Sequence, residues 1–215
     1  MGLELKTNDL DRRGAVVLCG GESRRMGRAK AWLPFGPEAL LTRVVRRLGE
    51  AVPPRRIVVV AAGAQALPPL PAETIVVRDR LEGQGPLPAI VEGLAALPAE
   101  VEAALVTGCD APLLGVEFIR CVFEQLAACD VAAPVDERRL YPLAAAYRRA
   151  ALPRLRAILA AGETSLHRAL RAGAISLNEI PLKQLRAVDP ELRSLVNCNS
   201  PDEYAAALRL AGLGD

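Results

Sequence analysis

Residues 14–36 run from an unbroken apolar segment, Gly14-Ala15-Val16-Val17-Leu18-Cys19, straight into a loop that carries Gly20, Gly21, Ser23, Arg24, Arg25, Met26, Gly27 and Lys30. A short apolar run of this kind reads as a strand buried on both faces, and such a strand needs packed layers above and below its sheet. The loop reads as a phosphate cradle. Adjacent glycines reach backbone angles closed to other residues, so successive amides can turn toward one anion while Ser23, Arg24, Arg25 and Lys30 add donors and charge. A glycine turn with solvated arginines above it is the alternative reading. The loop does not fit the P-loop template, because Lys30 falls three residues after Gly27 and precedes Ala31, and it lacks the Gly-x-Gly-x-x-Gly of a dinucleotide site.

Downstream, short apolar runs alternate with helical patterns, which predicts an α/β fold with a mostly parallel sheet covered by helices. Strands are expected at residues 15–19, 57–61, 74–77, 103–107, 131–134, 143–147 and 195–198. Helices are expected at residues 40–50, 87–97, 117–128, 150–161, 165–171 and 201–210. The last has a well-marked start: Ser200 can cap, Pro201 suits the first helical position, and Asp202 and Glu203 oppose the positive end of the helix dipole. Residues 66–72 read as a proline-stiffened loop.

At 215 residues the chain can bury a sizeable core without disulfides or a structural metal. Residues 1–13 read as a loose lead-in and 14–215 as a single domain. The two charge signs nearly cancel to +2 and only 3% of residues are aromatic, which argues against a nucleic-acid partner. The first dozen residues lack the apolar core of a signal peptide, and the most apolar later stretch, 57–72, is broken by Gly63, Gln65 and a proline cluster. The expectation is a cytoplasmic protein with no membrane role. Cys19, Cys109, Cys121, Cys129 and Cys198 include no Cys-x-x-Cys pair and read as inert thiols.

Four constellations bear on chemistry. Only three of the 27 basic residues are lysines, and one of them, Lys30, falls in the glycine loop, where a compact ammonium suits crowded phosphates. The apolar run through Thr107 leads into Asp110 and a proline turn. A carboxylate at the carboxyl end of a strand beside a triphosphate is a natural Mg²⁺ ligand, and a turn-capping Asp is the alternative. Next, Asp79, Gly85 and Pro86 lie in a polar loop between a strand and a helix; Asp79 reads as a base or ribose contact, or as a surface turn neutralised by Arg78 and Arg80. Last, Asn197 and Asn199 flank a strand end, where alternation sends both side chains to one side, toward a metal or phosphate, or into a turn. His167, the only histidine, reads as a solvated or half-buried helix residue.

With these residues in view, the chain resembles the molybdenum cofactor guanylyltransferases, the MobA-like nucleotidyltransferases, nearly end to end. That family opens with Leu-Ala-Gly-Gly-x-Ser-x-Arg-Met-Gly-x-Asp-Lys, which residues 18–30 follow closely. Its Cys-Asp-x-Pro appears at residues 109–112, its Gly-Pro-Leu-Ala-Gly at 85–89 and its Asn-x-Asn-Thr-Pro-Glu-Glu at 197–203. The resemblance implies a Rossmann-like three-layer sandwich of the nucleotide-diphospho-sugar transferase type, with residues 14–112 as the nucleotide-binding half and 113–215 as the acceptor-binding half. It implies Mg²⁺-dependent transfer of GMP from GTP to the terminal phosphate of molybdopterin, with release of pyrophosphate. It also implies transient contact with molybdenum cofactor biosynthesis or acceptor enzymes.

Carried over to this sequence, Lys30, Arg24 and Asp110 are catalytic. The nucleotide is held by Leu18, Cys19, Gly20, Gly21, Ser23, Arg25, Met26, Gly27, Lys30, Asp79, Gly85, Pro86 and Asp110. The acceptor falls to Arg139, Tyr141, Pro142, Asn197 and Asn199, and the metal to Asp110 and Asn199. Three departures stand out: Ala29 replaces an Asp before the lysine, the base-proximal Asn after the second strand is replaced within residues 61–63, and Ala89 replaces a glycine. They leave selection between guanine and cytosine open. A related cytidylyltransferase or sugar-phosphate nucleotidyltransferase, or a non-catalytic nucleotide-binding accessory protein, are the alternatives.

Overall fold

The strand after which the glycine loop begins lies inside a seven-stranded sheet, third from one edge. In the computed structural model, residues 10–20, 29–79, 84–137 and 139–214 are described. The strands and helices run in order β1 (Arg13–Cys19), β2 (Pro34–Phe35), β3 (Glu38–Ala39), α1 (Leu40–Gly49), β4 (Ile57–Ala62), β5 (Ile75–Asp79), α2 (Pro86–Ala96), β6 (Ala103–Gly108), α3 (Val116–Glu124), β7 (Val131–Val135), β8 (Ala144–Arg148), α4 (Leu152–Ala160), α5 (Leu166–Arg171), β9 (Leu177–Pro181), α6 (Leu182–Leu185) and α7 (Pro201–Leu210).

The main sheet has the order β5-β4-β1-β6-β8-β7-β9. All neighbours are parallel except at β8, which runs antiparallel to both β6 and β7. β2 and β3 form a separate small hairpin. The expected α/β sandwich with a mostly parallel central sheet is therefore what the chain adopts.

Alternation along β1 divides the core into two layers. Ala15, Val17 and Cys19 pack with the apolar faces of α1 and α3, including Leu41, Val44, Phe118 and Val122. Val16 and Leu18 pack on the other side with Leu87, Ile90 and Leu94 of α2, Leu155 of α4 and Leu170 of α5. A strand that serves both layers is apolar along most of its length, which is why β1, β4 and β6 read as near-continuous runs, with Arg13 and Thr107 the polar members near their ends. A third, smaller cluster joins Leu33, Phe35 and Leu40 to Cys198 and to Ala207 of α7.

Helix ends follow local chemistry. α7 begins as expected: the Ser200 hydroxyl accepts from the Glu203 N–H at 3.2 Å, with Pro201 first in the helix. α3 ends at Glu124, short of residue 128, and the chain then turns through Ala127 at a φ of 40°. Residues 149–151 form a 3₁₀ turn ahead of α4.

One expected strand is absent. Residues 195–198 follow the 3₁₀ turn Arg193–Leu195 and pair with no strand. Their apolar side chains are shared out instead: Leu195 packs against the first core layer, and Val196 and Cys198 pack in the small cluster. Conversely, β9 forms where the sequence, Leu-Asn-Glu-Ile-Pro, predicts no strand. As an edge strand paired only with β7, it buries Ile180 alone and can carry polar residues and a terminal proline. The β2–β3 hairpin and α6 are too short to leave a periodic signal.

α2 crosses β1 at very close range. A Cβ added at Gly93 would lie 2.3 Å from Val16 Cγ1, and Val16 is fully buried. Gly93→Ala should therefore lose about 1–3 kcal/mol of stability in urea unfolding, overpacking outweighing a gain in helix propensity of about 1 kcal/mol.

Candidate functional site

Along the sheet the chain steps from β1 outward to β4 and β5, then returns to place β6 on the other side of β1. In open α/β sheets the crevice at such a reversal, outside the carboxyl ends of the strands, is where ligands bind. Here the ends are residues 19–20 and 108–110. The Cys109 N–H donates to the Leu18 carbonyl at 3.0 Å, extending the β1–β6 pairing one step past the last paired residue and fixing Asp110 beside the start of the glycine loop.

Lys30 reaches into this crevice from the 3₁₀ turn Lys30–Trp32. Its ammonium donates to Asp110 Oδ2 at 2.8 Å and to Asn199 Oδ1 at 2.8 Å. Three segments far apart in sequence thus meet at one nitrogen. The Asp110 and Lys30 side chains keep 17% and 19% of their exposure, which shields the pair from bulk screening and leaves it open to a ligand.

Local geometry explains each approach. A Cβ on Gly108 would lie 2.4 Å from Asp110 Oδ1, so only glycine lets the carboxylate fold back over the strand end. The Asp110 carbonyl accepts from the Cys198 N–H at 2.9 Å, and the Asn199 N–H donates to Glu203 at 2.8 Å. These two bonds set residues 198–199 against Asp110.

The Cys109 and Cys198 thiols add no competing charge. Burial pushes the Cys198 thiol up to about 12, and Cys109 is pushed well above the ordinary thiol value by its hydrogen bond to Cys19 and by burial. Cys19, accepting from Cys109, is lowered. Cys19, Cys109 and Cys198 are buried and Cys121 and Cys129 half-buried, all five free of disulfides.

Asp110 and Asn199 offer hard oxygen donors that meet at the Lys30 ammonium, and as a donor set for an incoming cation they suit Mg²⁺ rather than a softer metal. Among the described residues there is no cluster of three or more His, Cys, Asp or Glu able to hold a metal. A Mg²⁺ ion fits these residues in the manner usual for that ion, with one carboxylate, few other protein oxygens and the remaining positions left to phosphates and water.

A cleft of about 520 Å³ is lined by Asn197, Ser194, Gly85, Pro86 and residues 139–144, with Thr164, Ser165 and His167 on its far wall. The Arg139 guanidinium lies 4.8 Å from the centre of the Tyr141 ring, and the Tyr141 hydroxyl donates to Asp136 at 2.8 Å. Burial and that acceptor raise the phenol above its ordinary value. The Pro142 carbonyl accepts from the fully buried Tyr147 hydroxyl at 2.9 Å.

Of the residues singled out in the sequence, Lys30, Asp110 and Asn199 are brought together, with Leu18, Cys19 and Gly20 beside them. Arg139, Tyr141, Pro142, Asn197, Gly85 and Pro86 share the cleft. The two asparagines therefore part, Asn199 to Lys30 and Asn197 to the cleft wall, because no strand alternation governs them. Asp79 sits at the end of β5, in register with Ala62. Gly21, Ser23, Arg24, Arg25, Met26 and Gly27 lie outside the described residues.

His167, which the sequence marks only as a helix residue, is exposed and lines the cleft, a placement that nothing in its neighbours Leu166 and Arg168 signals. Gln65 and Arg78 carry no sequence signal of a role either. They tie the turn after β4 to the end of β1, and ordinary polar residues in a loop and an edge strand bear no mark of such a task.

Residues 15–180 match the model of the MobA-like NTP transferase domain. The chain belongs to that family. It is a nucleotidyltransferase. A probable molybdenum cofactor guanylyltransferase of Mycobacterium tuberculosis (strain ATCC 25618 / H37Rv) is 41% identical over 190 residues, 86% of this chain and 88% of that protein. The corresponding protein of Mycobacterium marinum (strain ATCC BAA-535 / M) is 43% identical over 156 residues, 70% of this chain and 75% of its own length.

Among solved structures, molybdopterin-guanine dinucleotide biosynthesis protein A from Archaeoglobus fulgidus superimposes with a TM-score of 0.75 at 22% identity, covering 93% of this chain and 98% of that one. The 2-C-methyl-D-erythritol 4-phosphate cytidylyltransferase from Thermus thermophilus gives a TM-score of 0.68 at 16% identity, covering 93% and 99%. At those identities the likeness is one of fold, and it extends the MobA-like sandwich to relatives named for another nucleotide.

In this MobA-like site, Gly108→Ala should displace the Asp110 carboxylate from Lys30. A misplacement of about 1 Å can reduce turnover by about 100-fold. Steady-state nucleotidyl transfer should register the loss, with a melting temperature within a few degrees of wild type.

Proposed function

We propose that this MobA-like enzyme transfers GMP from GTP to the terminal phosphate of molybdopterin, forming the guanine dinucleotide cofactor and releasing pyrophosphate. The observation that carries the reading is Lys30 bonded at once to Asp110 and Asn199 at the mouth of the β1–β6 crevice. The names of the curated relatives, probable molybdenum cofactor guanylyltransferases, support a guanylyl group and a molybdenum cofactor acceptor.

An acceptor phosphate oxygen attacks the α-phosphorus of GTP, the bond between the α-phosphorus and its bridging oxygen to the β-phosphate breaks, and pyrophosphate leaves. The attacking oxygen already carries negative charge, so no strong general base is required; the site has to hold anions together and in line. Lys30 supplies a compact positive charge beside the transferring phosphoryl group. The amides of residues 20–27, with Ser23, Arg24 and Arg25, are assigned to the triphosphate. Asp110 and Asn199 would hold Mg²⁺, which when bound neutralises charge on the α-phosphate and the departing pyrophosphate.

The cleft suits the acceptor. Its named side chains include the cation Arg139, stacked over the Tyr141 ring, and no carboxylate, and Asn197 connects it to Asn199 and the crevice. On this reading residues 14–112 hold the nucleotide and 113–215 the acceptor, Lys30 and Asp110 on one side meeting Asn199 from the other. A cytidylyltransferase is the second reading, favoured by the absence of any polar side chain at residues 61–64, where β4 ends.

Calorimetric titration of GTP, CTP, ATP and UTP with Mg²⁺ separates the two: preference for GTP is expected, and preference for CTP would refute the guanylyl assignment. Asp110→Asn should nearly abolish pyrophosphate release with the fold intact, and full activity would remove Asp110 from the mechanism. Lys30→Ala should slow the reaction by about 100- to 1,000-fold, the effect of deleting one preorganised charge-stabilising donor. A drop in melting temperature at undiminished rate would make Lys30 a structural residue.

A further inference from the structure

The turn that follows β4 is held by side-chain bonds from within it and from two neighbouring segments. The Gln65 N–H donates to the Ala62 carbonyl at 3.1 Å and closes the turn. The Gln65 side chain then bonds in both directions: its carbonyl accepts from the Ala62 N–H at 3.2 Å, and its amide donates to Cys19 Sγ at 3.5 Å. From β5, the Arg78 guanidinium donates to the Ala62 carbonyl at 3.1 Å and to the Gln65 carbonyl at 2.6 Å. Trp32, two residues after Lys30, donates its indole N–H to the Ala66 carbonyl at 2.9 Å.

These bonds join the turn to the strand that launches the glycine loop, and the same turn lies against Gly20, whose added Cβ would lie 3.9 Å from the Ala62 nitrogen. The nucleotide reading of the preceding subsection, on which this inference rests, leaves one place for a base. Phosphates at the ends of β1 and β6 can be followed by a nucleoside on either flank, and the acceptor cleft occupies the β8 flank. The base then lies over the ends of β4 and β5.

The side chains of the turn itself offer little to a base edge, and the one arginine beside it spends Nη1 on the turn's own carbonyls. Ala61, Ala62, Gly63 and Ala64 have no polar side-chain atom, the Gln65 amide is bonded at both ends, and Arg78 is bonded to two carbonyls. Beside Asp79 at the end of β5, the main-chain amides and carbonyls of the turn face the base, and main-chain groups discriminate only as well as the turn that carries them is held in place. Charge-assisted bonds from one guanidinium to two carbonyls are the strongest of the restraints on that turn. We propose that Arg78 and Gln65 are positioning residues for nucleobase selection, acting through the main chain of the turn at residues 62–65.

The test is titration of GTP, CTP and inorganic tripolyphosphate, each with Mg²⁺, into the wild type and the Arg78→Met, Gln65→Ala and Arg78→Lys variants. Arg78→Met and Gln65→Ala are expected to lower the ratio of GTP to CTP affinity by about tenfold, the size of one well-placed hydrogen bond. Tripolyphosphate, which has no base, should bind each variant within about twofold of wild type, and Arg78→Lys should recover part of the ratio, since an ammonium still bonds to carbonyl oxygens. An unchanged ratio in both Arg78→Met and Gln65→Ala overturns the proposal, as does equal weakening of all three ligands, which is what a loosened crevice would give. A wild type that prefers CTP refutes guanylyl transfer alone, because loss of that preference in the variants still supports the positioning role. A wild type with no base preference overturns both.

Discussion

Lys30 is the contact on which the arrangement of this crevice depends. Its ammonium joins Asp110, delivered by the end of β6, to Asn199, delivered by the approach to α7, at 2.8 Å each. A partly shielded carboxylate left without its cation would be costly, and an amide oxygen without a donor would be lost to water. The fold supplies the three partners from different layers: the loop after β1, the strand next to β1, and a segment anchored by the small cluster around Phe35, Leu40 and Cys198. Main-chain bonds from Cys109 to Leu18 and from Cys198 to Asp110 keep the segments in step.

The positions of these partners follow from the two-sided sheet. β1 and β6 are buried along their whole length because helices cover both faces, so the first places where polar groups can gather are the strand ends. The chemistry is thereby concentrated along one edge of the sheet. The reversed strand β8 turns the chain back at β6 and opens the cleft beside that edge, where the Arg139–Tyr141 pair and the 164–167 segment face each other.

Much of this is legible in the residues themselves. The runs at 15–19, 57–61 and 103–107 read as strands because doubly buried strands have no polar face to confuse the pattern, and Ser200 marks the start of α7 through a cap that the structure realises. Lys30 and Asp110 stand out by type and place. The segment 195–198 misleads because its apolar side chains serve two different clusters, a division that mimics the content of a strand without its pairing. β9 escapes notice for the converse reason, since an edge strand with one buried side chain has almost no hydrophobic signal. Gln65, Arg78 and His167 acquire meaning only from what the folded chain sets beside them.

The order in which the three partners enter the chain has its own consequence. Asn199 is the last of the three to enter the chain, and its place in the crevice is set by α7, begun by Ser200 and Pro201 and docked on the cluster around Phe35. A polypeptide that ends after β9 holds the residues of every strand and of the Lys30–Asp110 pair, yet lacks the amide oxygen that also meets Lys30. The full three-way contact is therefore open only to a chain that includes α7.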